Sequence, residues 1–142
     1  MIDFFSGNYE FLSNFYICNI YYKGHKYISV EHAFQAAKVK DENNRLFIAS
    51  ASTPGLAKRR GRTVRIREDW EFIKDQVMYD LVLNKFKNNS DLKEQLLATG
   101  SEELVEGNFW GDSYWGVDKV RGGQNKLGKI LMRVRKELQN VI

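Results

Sequence analysis

The chain has 142 residues, of which 43% are hydrophobic and 28% charged, and 22 basic against 18 acidic residues leave a net charge of +4. These values are ordinary for one globular domain over residues 1–142 that needs no metal or disulfide to fold. The modest basic surplus suits phosphate-bearing ligands and is not diagnostic of nucleic-acid binding.

Cellular location follows from what the sequence lacks. No apolar run approaches the ~18 residues of a membrane-spanning helix, and the N-terminal residues lack the basic start and apolar core of a signal peptide. The single cysteine, Cys18, lies in a run of β-formers and is expected to be buried and unreactive. We therefore expect a cytoplasmic protein that does not contact membranes. These features do not indicate an oligomeric state.

The first predicted elements are a β-hairpin and a helix. Residues 15–22 are rich in β-formers, and Lys23-Gly24 supplies a tight turn into a second strand at 25–28. Ser29 is a suitable N-cap for a helix over 30–40. The apolar side of that helix consists of Val30, Ala33, Phe34 and Ala37.

The rest of the chain is predicted to be mainly helical. Caps and apolar periodicity predict four further helices. The first begins at the Thr53 cap and stops before Gly61, and the second runs over 69–86. The third follows a Ser90 cap as far as 99–100, and the fourth runs over 124–138. A short strand is predicted at 103–107. Because helices dominate and the strands are few and local, the fold class is α+β: a mostly helical domain with a few short strands.

The least ordinary stretch is 108–116, in which two tryptophans flank an aspartate among glycines, polar groups and further aromatic rings. Aromatic faces stack on a planar base, while Asn108 and Asp112 can hydrogen-bond a sugar or a base edge. A ligand-binding loop is favoured on this density of polar groups among rings. The alternative is an aromatic cluster that closes the core, with Asp112 capping a turn.

A polar stripe is predicted on the helix over 30–40, because Glu31, Gln35 and Lys38 fall at helical spacing. Such a stripe is often merely solvated. Glu31, however, lies in the first turn, where the helix dipole favours an ionised carboxylate. It could stabilise an oxocarbenium-like transition state or activate water. A second carboxyl group, Asp112 between tryptophans, would suit a proton donor, and two carboxyls in unlike environments are what glycosidic cleavage requires.

Two further segments could attract phosphate. Residues 58–67 carry six positive charges and no negative one, which indicates either a solvated basic face or a phosphate-attracting rim. The turn at 122–125 feeds the last helix and could present free N–H groups to an anion. Neither His25 nor His32 has a partner spaced for a metal, so no metal centre is expected. Gly128, inside that helix, is expected to permit close packing.

Together with these segments, several motifs occur in an order that resembles the NADAR, or YbiA-like, family. They span nearly the whole chain: Leu12-Ser13-Asn14-Phe15-Tyr16, 29–38 from Ser29 to Lys38, Thr53-Pro54-Gly55, 65–70 from Arg65 to Trp70, Glu106-Gly107-Asn108, Trp110-Gly111-Asp112, Tyr114-Trp115-Gly116 and Asn125-Lys126-Leu127-Gly128. So many separate motifs in register make the resemblance specific.

The resemblance implies an α+β fold and an N-glycosidase that uses no metal or organic cofactor. Members of that family act on phosphoribosylamino-pyrimidine intermediates of riboflavin biosynthesis, releasing ribose 5-phosphate, and others remove ADP-ribose from guanine, including guanine in nucleic acid. The resemblance maps the family's polar motif residues onto this chain without assigning their roles, and the expected catalytic residues, taken from the two-carboxyl pattern, are Glu31 and Asp112. The expected substrate-binding residues are Asn14, Gln35, Lys38, Arg59, Asn108, Trp110, Gly111, Tyr114, Trp115 and Asn125.

Three functions remain open on the sequence. The leading hypothesis is hydrolysis of a phosphoribosyl or ADP-ribosyl substrate, with Lys38 and the basic run near Arg59 holding phosphate. The same residues could serve a non-catalytic module that binds ADP-ribose or NAD. A nucleic-acid-binding module led by residues 58–67 ranks last, given the small net charge.

Overall fold

The computed structural model describes residues 1–141, which fall into two compact units. One unit is Asn14–Asn88, and the other comprises Met1–Ser13 with the chain from Asn89 onward. The elements of the first are β1 (Ile20–Tyr22), β2 (His25–Tyr27), α1 (Val30–Ala36), α2 (Glu42–Ala49), α3 (Pro54–Gly61) and α4 (Trp70–Asn88). Those of the second are a 3-10 helix (Gly7–Leu12), α5 (Ser90–Ala98), β3 (Gly107–Asn108), β4 (Val117–Asp118) and α6 (Lys126–Gln139). The α+β class is confirmed, and the prediction of a single domain stays a prediction.

The N-terminal hairpin is confirmed. Strands β1 and β2 pair antiparallel, with Ile20 opposite Tyr27 and Tyr22 opposite His25. Lys23 and Gly24 both have positive φ, 49° and 81°, as a two-residue turn with the right-handed twist of the strands requires. The strands are shorter than predicted, because the ladder starts only at Ile20.

Helix α1 forms the core of the Asn14–Asn88 unit with α4. The Ser29 hydroxyl oxygen accepts the His32 N–H at 3.0 Å, so the predicted N-cap is confirmed. The Phe34 and Trp70 rings lie 5.0 Å apart between centroids. The predicted end of the helix at residue 40 is wrong, since α1 stops at Ala36. Beyond Ala36 the N–H groups of Lys38 and Val39 donate to carbonyls three residues back, and the Lys38 carbonyl accepts the Arg67 N–H at 2.8 Å.

Helix α2 was not predicted. Its N-cap is Asp41, whose carboxylate accepts the Asn44 N–H at 2.9 Å. Leu46 and Phe47 are exposed while Ile48 is buried, so the apolar residues do not form the single stripe by which an amphipathic helix is recognised.

The later helices follow the prediction, and the predicted strand does not. Thr53 caps α3 by accepting the Leu56 N–H at 3.1 Å, whereas Ser90 is the first residue of α5 and not its cap. Of the strand predicted at 103–107, only Gly107 belongs to a strand, β3, which pairs parallel with β4. Upstream of it, Leu104 makes an isolated bridge to Ile2.

Helix α6 provides the apolar face of the second unit. Its buried residues include Leu127, Leu131, Val134 and Leu138. A Cβ atom on Gly128 would overlap the Leu104 carbonyl and the Asn125 side chain, so the predicted close packing at this glycine is confirmed. Cys18 is half-buried and not fully buried as expected. Within residues 1–141, no helix combines the length and apolar character needed to cross a bilayer.

A buried lysine makes the stability of the fold depend on pH. Lys85 of α4 is 1% exposed, and burial lowers its pKa from 10.5 to about 8, although the neighbouring Cys18 raises it. Between these values the folded protein binds fewer protons than the unfolded chain, so the free energy of unfolding should rise with pH.

We expect Lys85→Met to remove a rise of roughly 3 kcal/mol between about pH 8 and pH 10.5. Urea unfolding of both proteins at a series of pH values measures it. Equal slopes in the wild type and the variant would contradict the assignment to Lys85.

Candidate active site

The carboxylate of Glu31 is buried in the first turn of α1. Glu31 is 7% exposed, and its Oε1 accepts a hydrogen bond from Gln35 Nε2 at 2.8 Å. The Glu31 N–H donates to the Asn14 carbonyl at 3.0 Å, which anchors the start of the helix. The position of this carboxylate is therefore fixed by both backbone and side-chain bonds.

The two amides near Glu31 are themselves constrained. Asn14 is buried, and its Nδ2 donates to the Met78 sulfur at 3.5 Å. Gln35 Oε1 is buried without a hydrogen-bond partner among the described residues and lies against Gly61, where a Cβ atom would overlap it. The hydrogen bond to Glu31 Oε1 orients the Gln35 amide with its N–H toward the carboxylate. The structure thus favours orientation of Glu31 as the role of Gln35.

A group of cations surrounds Lys38, which lies just beyond α1 and not on its polar stripe. Burial lowers the Lys38 pKa; nearby Glu31 raises it, whereas the positive charges of Arg62, Lys58 and Lys74 lower it further. These four basic residues are called the cation cluster below. A half-buried lysine whose charge is opposed by neighbouring cations is suited to take up an anion such as phosphate.

The basic run 58–67 does not form one surface. Lys58, half-buried, and Arg62, exposed, lie one turn apart and join the cation cluster; Arg59 is exposed as well. Arg60 instead donates to the Phe47 carbonyl at 2.7 Å, and Arg67 pairs with Asp69 at 2.6 Å. Sequence reasoning missed Lys74 because this residue comes from α4. For Lys58 and Arg62, the available signal in the sequence was their four-residue spacing.

His32 is a structural residue, as expected. Its Nε2 lies 2.9 Å from the Ala51 carbonyl, which can only accept, so Nε2 carries the proton and Nδ1 accepts from the Ser29 hydroxyl at 2.7 Å. Burial lowers the His32 pKa, against the raising effect of the Ala51 bond. The neutral ring therefore links α1 to Ala51, two residues after the end of α2.

In the other unit, Asn108 braces the aromatic loop 108–116. Asn108 is fully buried; its Nδ2 donates to the Asp112 carbonyl at 2.9 Å, and its Oδ1 accepts the Asp112 N–H at 3.1 Å. Its backbone carbonyl accepts the Lys119 N–H at 2.7 Å. Both ends of the side-chain amide are thus used to close the loop.

Asp112 caps the following turn, the alternative that the sequence left open. Its Oδ1 accepts the N–H groups of Tyr114 and Trp115 at 3.1 and 3.0 Å. The rings of these two residues meet edge to face at 4.8 Å between centroids. One carboxylate oxygen is therefore committed to the loop, and Oδ2 makes no hydrogen bond within residues 1–141.

Two aromatic rings of the loop lie in solvent. Phe109 and Trp110 are 69% and 70% exposed, and Phe109 stacks on Phe4 at 5.9 Å between centroids. Gly111 follows with φ of 88°, a conformation that favours glycine. The Trp110 face is thus open to a planar ligand.

A second carboxylate, Asp118, was missed by sequence reasoning. It is buried, and its Oδ1 accepts the N–H groups of Val120 and Arg121 at 2.8 and 2.9 Å. Bonds from the backbone of Arg121, Val120 and Gly111 hold the pKa of this carboxyl below its usual value. Asp118 therefore ties the aromatic loop to the next turn.

The turn before α6 does not present its N–H groups to an anion. The N–H groups of Gln124, Asn125, Lys126 and Leu127 donate to carbonyls of Ser113, Gly116, Tyr114 and Trp115. The Asn125 side chain bridges the Glu106 N–H and the Leu104 carbonyl, each at 3.0 Å. This segment fastens the aromatic loop to α6, so the expectation of free N–H groups here is wrong.

The candidate residues thus form two groups. Asn14, Glu31, Gln35 and Lys38 lie together in the Asn14–Asn88 unit, and the loop residues lie with Asn125 in the other. The pairing of Glu31 with Asp112 stays a prediction. In the part of the chain that the structure describes, no three histidine, cysteine or acidic side chains are grouped to hold a metal ion.

Comparisons with known proteins place the chain in a family. Residues 4–139 match the NADAR domain. An N-glycosidase of Nostoc punctiforme is 41% identical over 139 residues, covering 94% of this chain and 88% of that protein. The N-glycosidase YbiA of Escherichia coli is 38% identical over 142 residues, covering 97% and 88%. A riboflavin biosynthesis protein of Vibrio vulnificus is 41% identical over 134 residues, which are 93% of this chain and 36% of that protein.

The fold agrees with these sequence matches. The NMR structure of the E. coli protein YbiA superimposes with a TM-score of 0.85 at 37% identity, covering 98% of this chain and 87% of that one. The chain belongs to the NADAR, or YbiA-like, N-glycosidase family. The resemblance inferred from the motifs is confirmed.

The brace at Asn108 can be tested by removing it. Asn108→Ala deletes two hydrogen bonds to Asp112, each worth about 1 kcal/mol, so we expect the free energy of unfolding to fall by about 2 kcal/mol. The matched control is Asn43→Ala, on the exposed side of α2, expected to change it by less than about 0.5 kcal/mol. Urea unfolding measures both, and equal values would exclude the brace.

Proposed function

We propose that the protein hydrolyses the N-glycosidic bond of a phosphorylated ribosyl substrate. The observation that carries this proposal is the buried Glu31 carboxylate beside the cation cluster. A carboxylate beside phosphate-binding cations provides what this reaction needs, charge stabilisation at the sugar and a hold on the phosphate. The names of the Nostoc and E. coli relatives agree with the reaction type.

In the proposed reaction, water adds to the anomeric carbon and the carbon–nitrogen bond breaks. The bond's electron pair goes to the base nitrogen, which takes up a proton. Glu31 stabilises the positive charge that develops on the ribosyl ring or accepts a proton from the attacking water. The bond from Gln35 Nε2, at 2.8 Å, keeps one carboxylate oxygen fixed while this happens.

Lys38 and its neighbours are proposed to hold the phosphate group. A phosphate supplies negative charge to Lys38, whose charge the three other cations oppose, and it holds the rest of the substrate at Glu31. Arg59 is exposed and contributes at most long-range attraction.

The aromatic loop is proposed to bind the base or the sugar. The exposed Trp110 ring offers a stacking face, and Asp112 Oδ2 is the carboxylate atom left to meet a ribose hydroxyl or the leaving base. Asn108 and Asn125 serve this loop by bracing it. Tyr114 and Trp115 shape it through their edge-to-face contact.

The substrate class favoured by the relatives is a phosphoribosylamino-pyrimidine, because a riboflavin biosynthesis protein is among them. ADP-ribosylated guanine, alone or in nucleic acid, is the second candidate of the same chemistry. Parallel incubations with the two substrates, assayed for ribose 5-phosphate and for ADP-ribose, decide between them. Binding of both for hours without release of either product would overturn the enzymatic proposal and leave a binding module.

The role of Glu31 is tested by Glu31→Gln. The amide keeps the size of the side chain and loses its charge, so we expect kcat to fall by at least about 10³-fold while substrate affinity changes little. Glu94→Gln, an exposed site on α5, is the matched control and should retain wild-type turnover. Full activity of Glu31→Gln would remove Glu31 from the mechanism.

The role of Lys38 is tested through pH. Burial lowers the Lys38 pKa from its ordinary 10.5, so its ammonium loses its charge at a lower pH than an exposed lysine. Affinity for ribose 5-phosphate should therefore fall as pH rises through this lowered pKa. Lys38→Arg keeps its charge throughout and should flatten the profile.

Calorimetric titrations from neutral pH to about pH 10 provide the measurement. Lys129→Arg, at an exposed site on α6, should leave the profile unchanged. An alkaline loss of the same size in Lys38→Arg as in the wild type would exclude Lys38 as the phosphate ligand.

A further inference from the structure

A cavity of about 180 Å³ lies in the Asn14–Asn88 unit, and its lining includes none of the residues proposed for catalysis. Its apolar lining comes from the end of α1 and from α4, including Ala36, Ala37 and Val77, and two tyrosines, Tyr22 and Tyr27, come from the hairpin. Small side chains and aromatic rings together line a space suited to a flat group.

The polar lining of this cavity is basic. Lys23, His25, Arg45 and Arg67 line it, and among the described residues no carboxylate does so. The acidic partners of the two arginines are not among the lining residues: Glu42 pairs with Arg45, and Asp69 pairs with Arg67. Burial raises the pKa of the Tyr22 hydroxyl, and the charge of nearby Asp80 raises it further. The side facing the cavity therefore offers donors.

The two arginines differ in what they have left to donate. Arg45 uses Nε and Nη2 on Glu42 and Nη1 on the Tyr27 hydroxyl, at 3.1 Å. Arg67 uses Nε and Nη2 on Asp69, at 2.6 and 3.0 Å, and its Nη1 makes no hydrogen bond within residues 1–141. The open end of this guanidinium can bind a carboxylate through two parallel N–H bonds.

We propose that this cavity is a binding site for a small planar ring that carries one carboxylate. Its volume is close to the ~150 Å³ of a cavity that holds benzene, and smaller than the ~300–1,000 Å³ of sites for larger ligands. The ring lies among Tyr22, Tyr27 and the apolar wall, and the carboxylate meets Arg67 with Lys23 and His25 nearby. This site does not depend on the proposed glycosidase activity.

The cavity is adjacent to the chain segment that carries Lys38. The Arg67 N–H holds the Lys38 carbonyl at 2.8 Å, and Ala37 and Val39 of the cavity wall flank Lys38 in the chain. A ligand that engages the Arg67 side chain therefore binds next to the segment that carries Lys38.

The test uses benzoate as the probe, with benzamide as its neutral counterpart of the same shape. We expect benzoate to bind with a dissociation constant of the order of 1 mM or lower, and at least about tenfold more tightly than benzamide. Titration followed in ¹H–¹⁵N NMR spectra should shift the backbone amides of Ala36, Val39 and Val77. Ribose 5-phosphate, the probe for the cation cluster, should not displace benzoate.

Two variants and one control separate the site from general effects. Arg67→Met should weaken benzoate binding about tenfold or more, and Ala37→Leu, which fills the cavity while keeping every ion pair, should abolish it. Arg65→Met, two residues away and exposed, should bind like the wild type. The proposal is overturned if benzamide binds as tightly as benzoate, if Arg67→Met and Ala37→Leu both bind normally, or if ribose 5-phosphate displaces benzoate.

Discussion

Burial of the Glu31 carboxylate is the constraint that the Asn14–Asn88 unit has to meet. An ion removed from water is destabilised by several kcal/mol unless other groups compensate. The first turn of α1 contributes its dipole, Gln35 donates a hydrogen bond, and nearby Lys38 contributes positive charge. The Ser29–His32–Ala51 contacts hold the helix in place so that these groups stay aligned.

The elements that could be predicted are those whose signals are local. Caps at Ser29 and Thr53 and the left-handed turn at Lys23-Gly24 each depend on a few adjacent residues, and each is found in the structure. At the end of α1 the backbone instead changes to bonds between residues three apart, and the Lys38 carbonyl accepts a hydrogen bond from Arg67, 29 residues away in the chain. No local pattern records such a bond, so the helix was predicted too long.

For the candidate site, the sequence identified which residues are present better than what each of them does. The motif residues are close to one another within each unit, yet Asn108 and Asn125 use both ends of their amides to hold the backbone. A motif shows which side chain is present and not whether its donors and acceptors are already used. The contribution of Lys74 to the cation cluster could not be read from the sequence, because it depends on how α4 packs in the Asn14–Asn88 unit.

The placement of the tryptophans gives the protein intrinsic optical reporters. Trp70 is buried against Phe34, whereas Trp110 is mostly in solvent. Emission from Trp110 should therefore lie at longer wavelength and be quenched readily by iodide, while Trp70 is shielded from it. Any molecule that covers the Trp110 ring will lower that quenching and shift the emission to the blue, so occupancy of the aromatic loop can be followed without a label.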